Sequence, residues 1–297
     1  MASTNFVARK ISVLEILDKS FSVYFAKMEM FYAIFLILNI INAVLVHAIT
    51  DFIPSLSVPS ELPGGVLSWL VNYGVSAIMA FSISILIIWL ITNFGNSIVI
   101  GCVSEILEGR RVEITKNLKL TFHLSGRLLM VSLVVGALVV LGFILLIFPG
   151  LIMAIIFSLS TPVMVIERLG ALDSLRRSKE MSDNMWWKIF LLLAALFAMF
   201  VLSYLVAEAL SIILYRYYRQ ILVRHVIRIL LITLVEPLYP ISITHLYYGL
   251  RWQRMARPLP SVHEERYLPI QEAKFCYYCG QLLPYDALYC PNCGRRL

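Results

Sequence analysis

Charge is scarce in this chain. Of 297 residues, 14% are Asp, Glu, Lys or Arg, while 60% are hydrophobic. The mean hydropathy is +0.83. An ordinary soluble domain carries about 25% charged residues, and a globule of this size could not cover its surface with so few. The shortage excludes a water-soluble enzyme and an intrinsically disordered chain. Catalytic signatures are also missing: there is no His-Glu-x-x-His, no Gly-x-Ser-x-Gly and no phosphate-binding glycine loop. His263-Glu264-Glu265 starts like a zinc-protease motif but lacks the second histidine. Period-2 alternation is absent from the apolar runs, which excludes a membrane barrel. What remains is a polytopic α-helical membrane protein with room for one small module outside the bilayer.

A helix crossing the hydrocarbon needs about 20 mostly apolar residues. The runs predict six spans, at about 30–49, 68–92, 128–148, 151–166, 189–214 and 229–250, within a transmembrane domain of residues 1–255. Asn93, Gly95 and Asn96 are expected to end the second span, with an interfacial helix following to Gly109. Pro149-Gly150 is expected to turn the chain between spans three and four. Span six is expected to bend at Pro237 and Pro240. Trp186 and Trp187 at one end of span five, and Tyr215, Tyr217 and Tyr218 at the other, read as aromatic belts. The first run begins only at residue 30 with no clean cleavage site after it, so it is read as a retained span.

Lys and Arg are distributed unevenly. Residues 50–66 and the Pro-Gly turn have none, whereas the N-terminus, 110–127 and 167–188 are rich in them. The positive-inside tendency places both termini in the cytoplasm, in the plasma membrane. The net charge of +7 therefore reports topology before it reports nucleic acid. One connection dissents, since Arg216, Arg219, Arg224 and Arg228 fall on the outer side.

Residues 11–27, 112–124 and 171–183 are short amphipathic segments, each preceding an apolar span. They suggest three like units of one amphipathic helix and one helical hairpin. Their basic faces would favour anionic inner-leaflet lipids, at about 1 kcal/mol per charge near the surface. The plainer reading is that they are ordinary topology determinants.

The C-terminus carries the strongest motif. Cys276-Tyr-Tyr-Cys279-Gly and Cys290-Pro-Asn-Cys293-Gly form two CxxC pairs separated by ten residues. Two thiolates three apart reach one metal from a tight turn, and a second pair completes a tetrahedron. Gly280 and Gly294 permit the positive φ such turns need. The spacing predicts a zinc ribbon at 275–297 holding one structural Zn²⁺ through Cys276, Cys279, Cys290 and Cys293, with Gln281–Tyr289 as a short hairpin covered by Leu282, Leu283, Leu288 and Tyr289. So small a module has no core of its own, so the metal would stabilise its fold. The competing reading is two disulfides in an oxidising compartment. Residues 256–274, rich in charge and proline, read as a linker. Cys102, alone in an apolar run, reads as a small hydrophobe.

Ionisable residues inside spans are costly and are functional candidates by default. Glu236 in span six, His245 after it and Glu208 in span five are the candidates here. A carboxylate beside Pro237 could bind a cation or relay a proton. The competing readings make Glu236 a packing group paired with Arg216 or Arg228, and let Glu208 reach the interface. Asn39, Asn42, Asn93 and Asn96 read as interhelical hydrogen-bond partners.

Residues 143–190 carry a recognisable pattern. It comprises Ile147-Phe148-Pro149-Gly150, a short helix ending at Glu167, then Gly170-Ala171-Leu172, Ser174-Leu175, Arg177-Ser178, Asn184 and Trp186-Trp187, with Tyr247-Tyr248-Gly249-Leu250-Arg251 near the end. This resembles the six-span membrane domain associated with glycerophosphodiester phosphodiesterases and related bacterial and archaeal proteins. The resemblance implies the fold but no chemistry, because no phosphodiesterase catalytic domain is present. The tail resembles the zinc ribbons appended to many prokaryotic proteins as interaction modules. Together these imply a non-enzymatic membrane scaffold or sensor whose ribbon contacts a cytoplasmic protein. A transporter or channel using Glu236 is the alternative. Nucleic acid is a poor fit, because only Arg295 and Arg296 adjoin the ribbon.

Overall fold

A computed structural model describes residues 12–51, 74–183, 185–218, 221–255, 274–283 and 287–296. The chain divides into two units, Met1–Arg251 and Trp252–Leu297. The described helices are α1 (Val13–Ala26), α2 (Met28–Asp51), α3 (Val75–Leu107), α4 (Ile114–Leu145), α5 (Ile147–Phe157), α6 (Ser160–Glu167), α7 (Ala171–Ser182), α8 (Trp186–Tyr218), α9 (Ile221–Val235) and α10 (Leu238–Met255). Six segments are long and apolar enough to cross a membrane: Met28–Ile49, Ala77–Leu107, Ile114–Leu145, Ile147–Glu167, Trp186–Tyr215 and His225–Arg254. The chain is a multi-pass helical membrane protein.

Several boundaries differ from the sequence expectation. The second span does not stop at Asn93–Asn96, because α3 runs unbroken to Leu107. The Asn93 amide donates to the Trp89 carbonyl of its own helix at 2.8 Å, and so is not interhelical. A Cβ on Gly95 would lie 2.5 Å from Leu38 Cδ1. These residues mark a tightly packed stretch of helix, and the polar signal was misread as an exit. The expected start of that span, residues 68–73, lies outside the described residues, as do loop 52–66, Asn184 and the linker from 256 to 273.

The amphipathic segment 112–124 and the third span likewise merge into one helix, α4. At about 1.5 Å per residue, its 32 residues span about 48 Å, against about 30 Å of hydrocarbon. Its first turns therefore stand outside the apolar layer. The same arithmetic carries the 33-residue α8 past the hydrocarbon. Of the dissenting arginines, Arg216 belongs to the end of α8, while Arg224 and Arg228 belong to α9, where Arg228 is half-buried. Arg219 lies outside the described residues.

Pro149-Gly150 is not the turn. Leu146, extended at φ −166° and ψ 154°, breaks the chain, and Pro149 sits in the first turn of α5, where its missing N–H has no helical partner to lose. A Cβ on Gly142 would lie 2.7 Å from the Gly150 Cα. Only two glycines let α4 and α5 approach so closely. The fourth span is divided at Ser158–Leu159. Near this break, Ser178 and Ser182 of α7 donate to the Ile156 carbonyl at 2.6 and 3.1 Å. The sixth span is interrupted at Glu236-Pro237, between α9 and α10, while Pro240 is accommodated in the first turn of α10.

The three amphipathic segments bury comparable faces. They are Ile16, Ser20 and Tyr24 on α1; Asn117, Thr121 and Leu124 on α4; and Ser174, Ser178 and Met181 on α7. Spacings of four and then three or four residues keep each set on one face. The core gathers at this end of the bundle. There Ile98–Val103 of α3, Val163 of α6 and Ile241–Leu250 of α10 supply buried side chains. Toward the other end, Ile78, Phe81, Ile144, Phe148, Leu202 and Ile212 are exposed, as lipid-facing side chains are.

In the second unit, β1 (Lys274–Phe275) pairs antiparallel with β2 (Leu282–Leu283), and Tyr289 bridges to Arg296. Leu282 and Leu283 of the expected 281–289 hairpin pair instead with Phe275 and Lys274, and residues 284–286 lie outside the described residues. Leu283 is buried, whereas Leu288 and Tyr289 are exposed.

Candidate metal centre and intramembrane polar groups

The two cysteine pairs are built alike. In each, the N–H of the glycine after the second cysteine donates to the carbonyl of the first, Gly280 to Cys276 at 2.9 Å and Gly294 to Cys290 at 2.8 Å. In each, the N–H of the first cysteine donates to the carbonyl five residues on, Cys276 to Gln281 and Cys290 to Arg295, both at 2.9 Å. Gly280 and Gly294 lie at φ +75° and +69°, a conformation a side chain would strain. The turns aim four sulfurs at one point, all within 4.8 Å of one another.

Cys276 Sγ is 3.6 Å from Cys293 Sγ, and Cys279 Sγ is 3.5 Å from Cys290 Sγ. A tetrahedral thiolate site with bonds of about 2.3 Å has edges of about 3.8 Å, so the donor set fits a metal ion. A disulfide needs about 2.05 Å, and all four cysteines are free. Desolvation opposes ionisation of Cys276, but the N–H groups of Tyr278 and Cys279 outweigh it and bring the thiol down to about 6. The thiolate is the form that binds metal. Arg295 stacks 4.5 Å from the Tyr278 ring, tying one turn to the other. With all four positions taken by protein, the centre has no open site for catalysis.

In the bundle, Glu236 ends the helical run of α9. Its Oε2 accepts a hydrogen bond from Asn39 Nδ2 at 2.6 Å, and the same amide donates to Thr233 Oγ1 at 2.9 Å. The partner is thus an asparagine of α2; no pairing with Arg228 is seen among the described side chains, and the Arg216 side chain lies outside them. Pro237 has no N–H to continue the ladder, and the Tyr24 hydroxyl donates to the nearby Leu234 carbonyl at 2.8 Å. His245 lies more than two turns along α10 from Glu236, and its Nε2 is buried without a hydrogen-bond partner. The structure does not bring these two together. Glu208 is half-buried in α8. Asn96 is buried, and Asn42 is buried with its Oδ1 unbonded.

One buried carboxylate escaped the sequence reading. Glu105, 3% exposed, accepts from the Glu113 N–H at 3.0 Å, Asn117 Nδ2 at 2.8 Å and Lys116 Nζ at 3.3 Å. It pins the α3–α4 loop. The available signal was an acid closing an uncharged run just before a basic segment. Two further acids at the same end, Glu167 and Glu108, accept from the Tyr247 and Tyr248 hydroxyls at 2.8 and 2.6 Å.

No family model, curated protein or solved structure matches the chain. The geometry alone defines its class: a multi-pass membrane protein with a C-terminal four-cysteine metal site.

Proposed function

We propose that this protein is a membrane-embedded scaffold or sensor whose C-terminal module docks a cytoplasmic protein. The observation that carries the reading is the closed four-sulfur centre on an otherwise small unit. Such a centre organises a surface and performs no chemistry. Thiolate ligands in a tetrahedral set favour zinc, so the metal is read as structural Zn²⁺ and the chain as non-enzymatic. The Lys and Arg distribution supports a plasma-membrane location with both termini in the cytoplasm. Exposed Arg111, Lys119, Arg127, Arg168, Arg176 and Lys179 would then face anionic lipids of the inner leaflet. The resemblance to the phosphodiesterase-associated membrane domain agrees with this architecture and adds no activity.

The test is a paired affinity purification from membranes, comparing the parent with Cys290→Ser. The reading expects a soluble protein recovered with the parent alone. Equal recovery with both would overturn it. The transporter alternative has one supporting observation, the position of Glu236 at a helix break beside a cavity. Equal solute or proton flux in parent and Glu236→Gln vesicles would remove it.

A further inference from the structure

The bundle contains a cavity of about 920 Å³ lined almost wholly by apolar side chains. The rings of Phe35, Trp89, Phe190 and Phe197 form much of its wall, with Leu151 and Ile155 beside them. On α3 the lining runs from Ile85 to Asn96, and on α8 from Phe190 to Phe200. At about 1.5 Å per residue, each stretch is about 15 Å long. The space is therefore elongated and suits a chain better than a compact solute. Ile85, Phe143 and Phe197 line it yet are 51%, 47% and 69% exposed, so it opens sideways from the bundle, where lipid would lie.

The wall is not uniform. Ile85 and Ile88 are apolar, whereas Thr92 and Asn96 further along α3 are polar. Gly95 packs on Phe35 and Leu38, and the next residue of α2, Asn39, holds Glu236. Asn96 and Glu236 thus flank the same turn of α2, and the polar groups gather at one end. Among the described lining residues Glu236 is the one acidic group, Tyr239 lines the same part of the wall, and no Lys, Arg or His is present. A carboxylate offers about four acceptor positions, and Asn39 takes one. A charge in apolar surroundings is stable only when paired. A cation entering the cavity would supply a partner for it.

We propose that this cavity binds a single-chain amphiphile with a cationic amine head, its chain lying between α3 and α8 and its ammonium on Glu236. The site is separate from the cysteine module, so its failure would leave the docking reading untouched.

The experiment uses the full chain in phosphatidylcholine nanodiscs. The probes are ω-brominated hexadecylamine and the matching ω-brominated hexadecanol, both quenchers of tryptophan fluorescence. Subtracting the signal of Trp89→Phe from that of the parent isolates Trp89, which lines the cavity. The expected result is that the amine quenches Trp89 at a concentration about tenfold below the alcohol. Glu236→Gln should abolish that gap while leaving quenching by the alcohol. Ala154→Phe, which fills the wall, should abolish quenching by both, and Ala194→Phe serves if that variant does not fold. Equal potency of the two probes in the parent would overturn the proposal. So would a gap that survives Glu236→Gln, or quenching that survives a filled cavity in a folded variant.

Discussion

In the bundle, Ile241, Ile243, Leu246 and Tyr247 are completely covered by neighbouring helices. Among the described residues of the cysteine module, the buried ones are Cys276, Leu283 and Cys290. The first unit has a large apolar core, and hydrogen bonds hold several of its buried polar groups, Ser20, Asn117 and Thr244 among them. The second has almost nothing to bury, so its folding energy must come from metal–sulfur bonds. The two units should therefore fail independently and through different substitutions.

Cys290→Ser should have the largest effect. Structural zinc supplies about 10–16 kcal/mol to small modules of this kind. Metal content should fall from about one equivalent to none, while far-UV circular dichroism of the helices stays unchanged. Elemental analysis and dichroism on the same sample check both halves. Glu105→Ala should be the most damaging of the bundle changes considered, costing about 3 kcal/mol, because it strands the buried Asn117 amide and the Glu113 N–H. An SDS unfolding titration should show the loss, and metal content should not change. Gly142→Val should cost about 2 kcal/mol by forcing α4 and α5 apart. Tyr247→Phe should cost about 1 kcal/mol, the value of one hydrogen bond to Glu167. A bundle variant that lost metal would break the contrast between the units.

The sequence exposed these two units unequally. The cysteine site could be read residue by residue, because CxxC spacing and the following glycine are local requirements of a local turn. The existence of six apolar segments was equally plain, since hydropathy sums over many residues. Boundaries were harder. Asn93, Gly95 and Asn96 look like a helix exit because small and polar residues serve both exits and close packing. Only the presence of Leu38 against Gly95 separates the two. Pro149 misled in the same way, since proline marks a turn yet is tolerated just inside a helix start. Glu236 stood out as a charge in a span, but its partner Asn39 is nearly 200 residues distant in sequence. Pairings of that kind depend on tertiary placement and leave no local trace.

The likeness of the two cysteine turns has a kinetic consequence. Each turn closes on its own backbone hydrogen bonds and presents two sulfurs without help from the other. An incoming ion can therefore be held by either half before the second swings onto it, and departure can retrace that route. Exchange would proceed by stepwise ligand replacement, with the ion never released bare. The rate at which a chelator strips the site should then rise with chelator concentration.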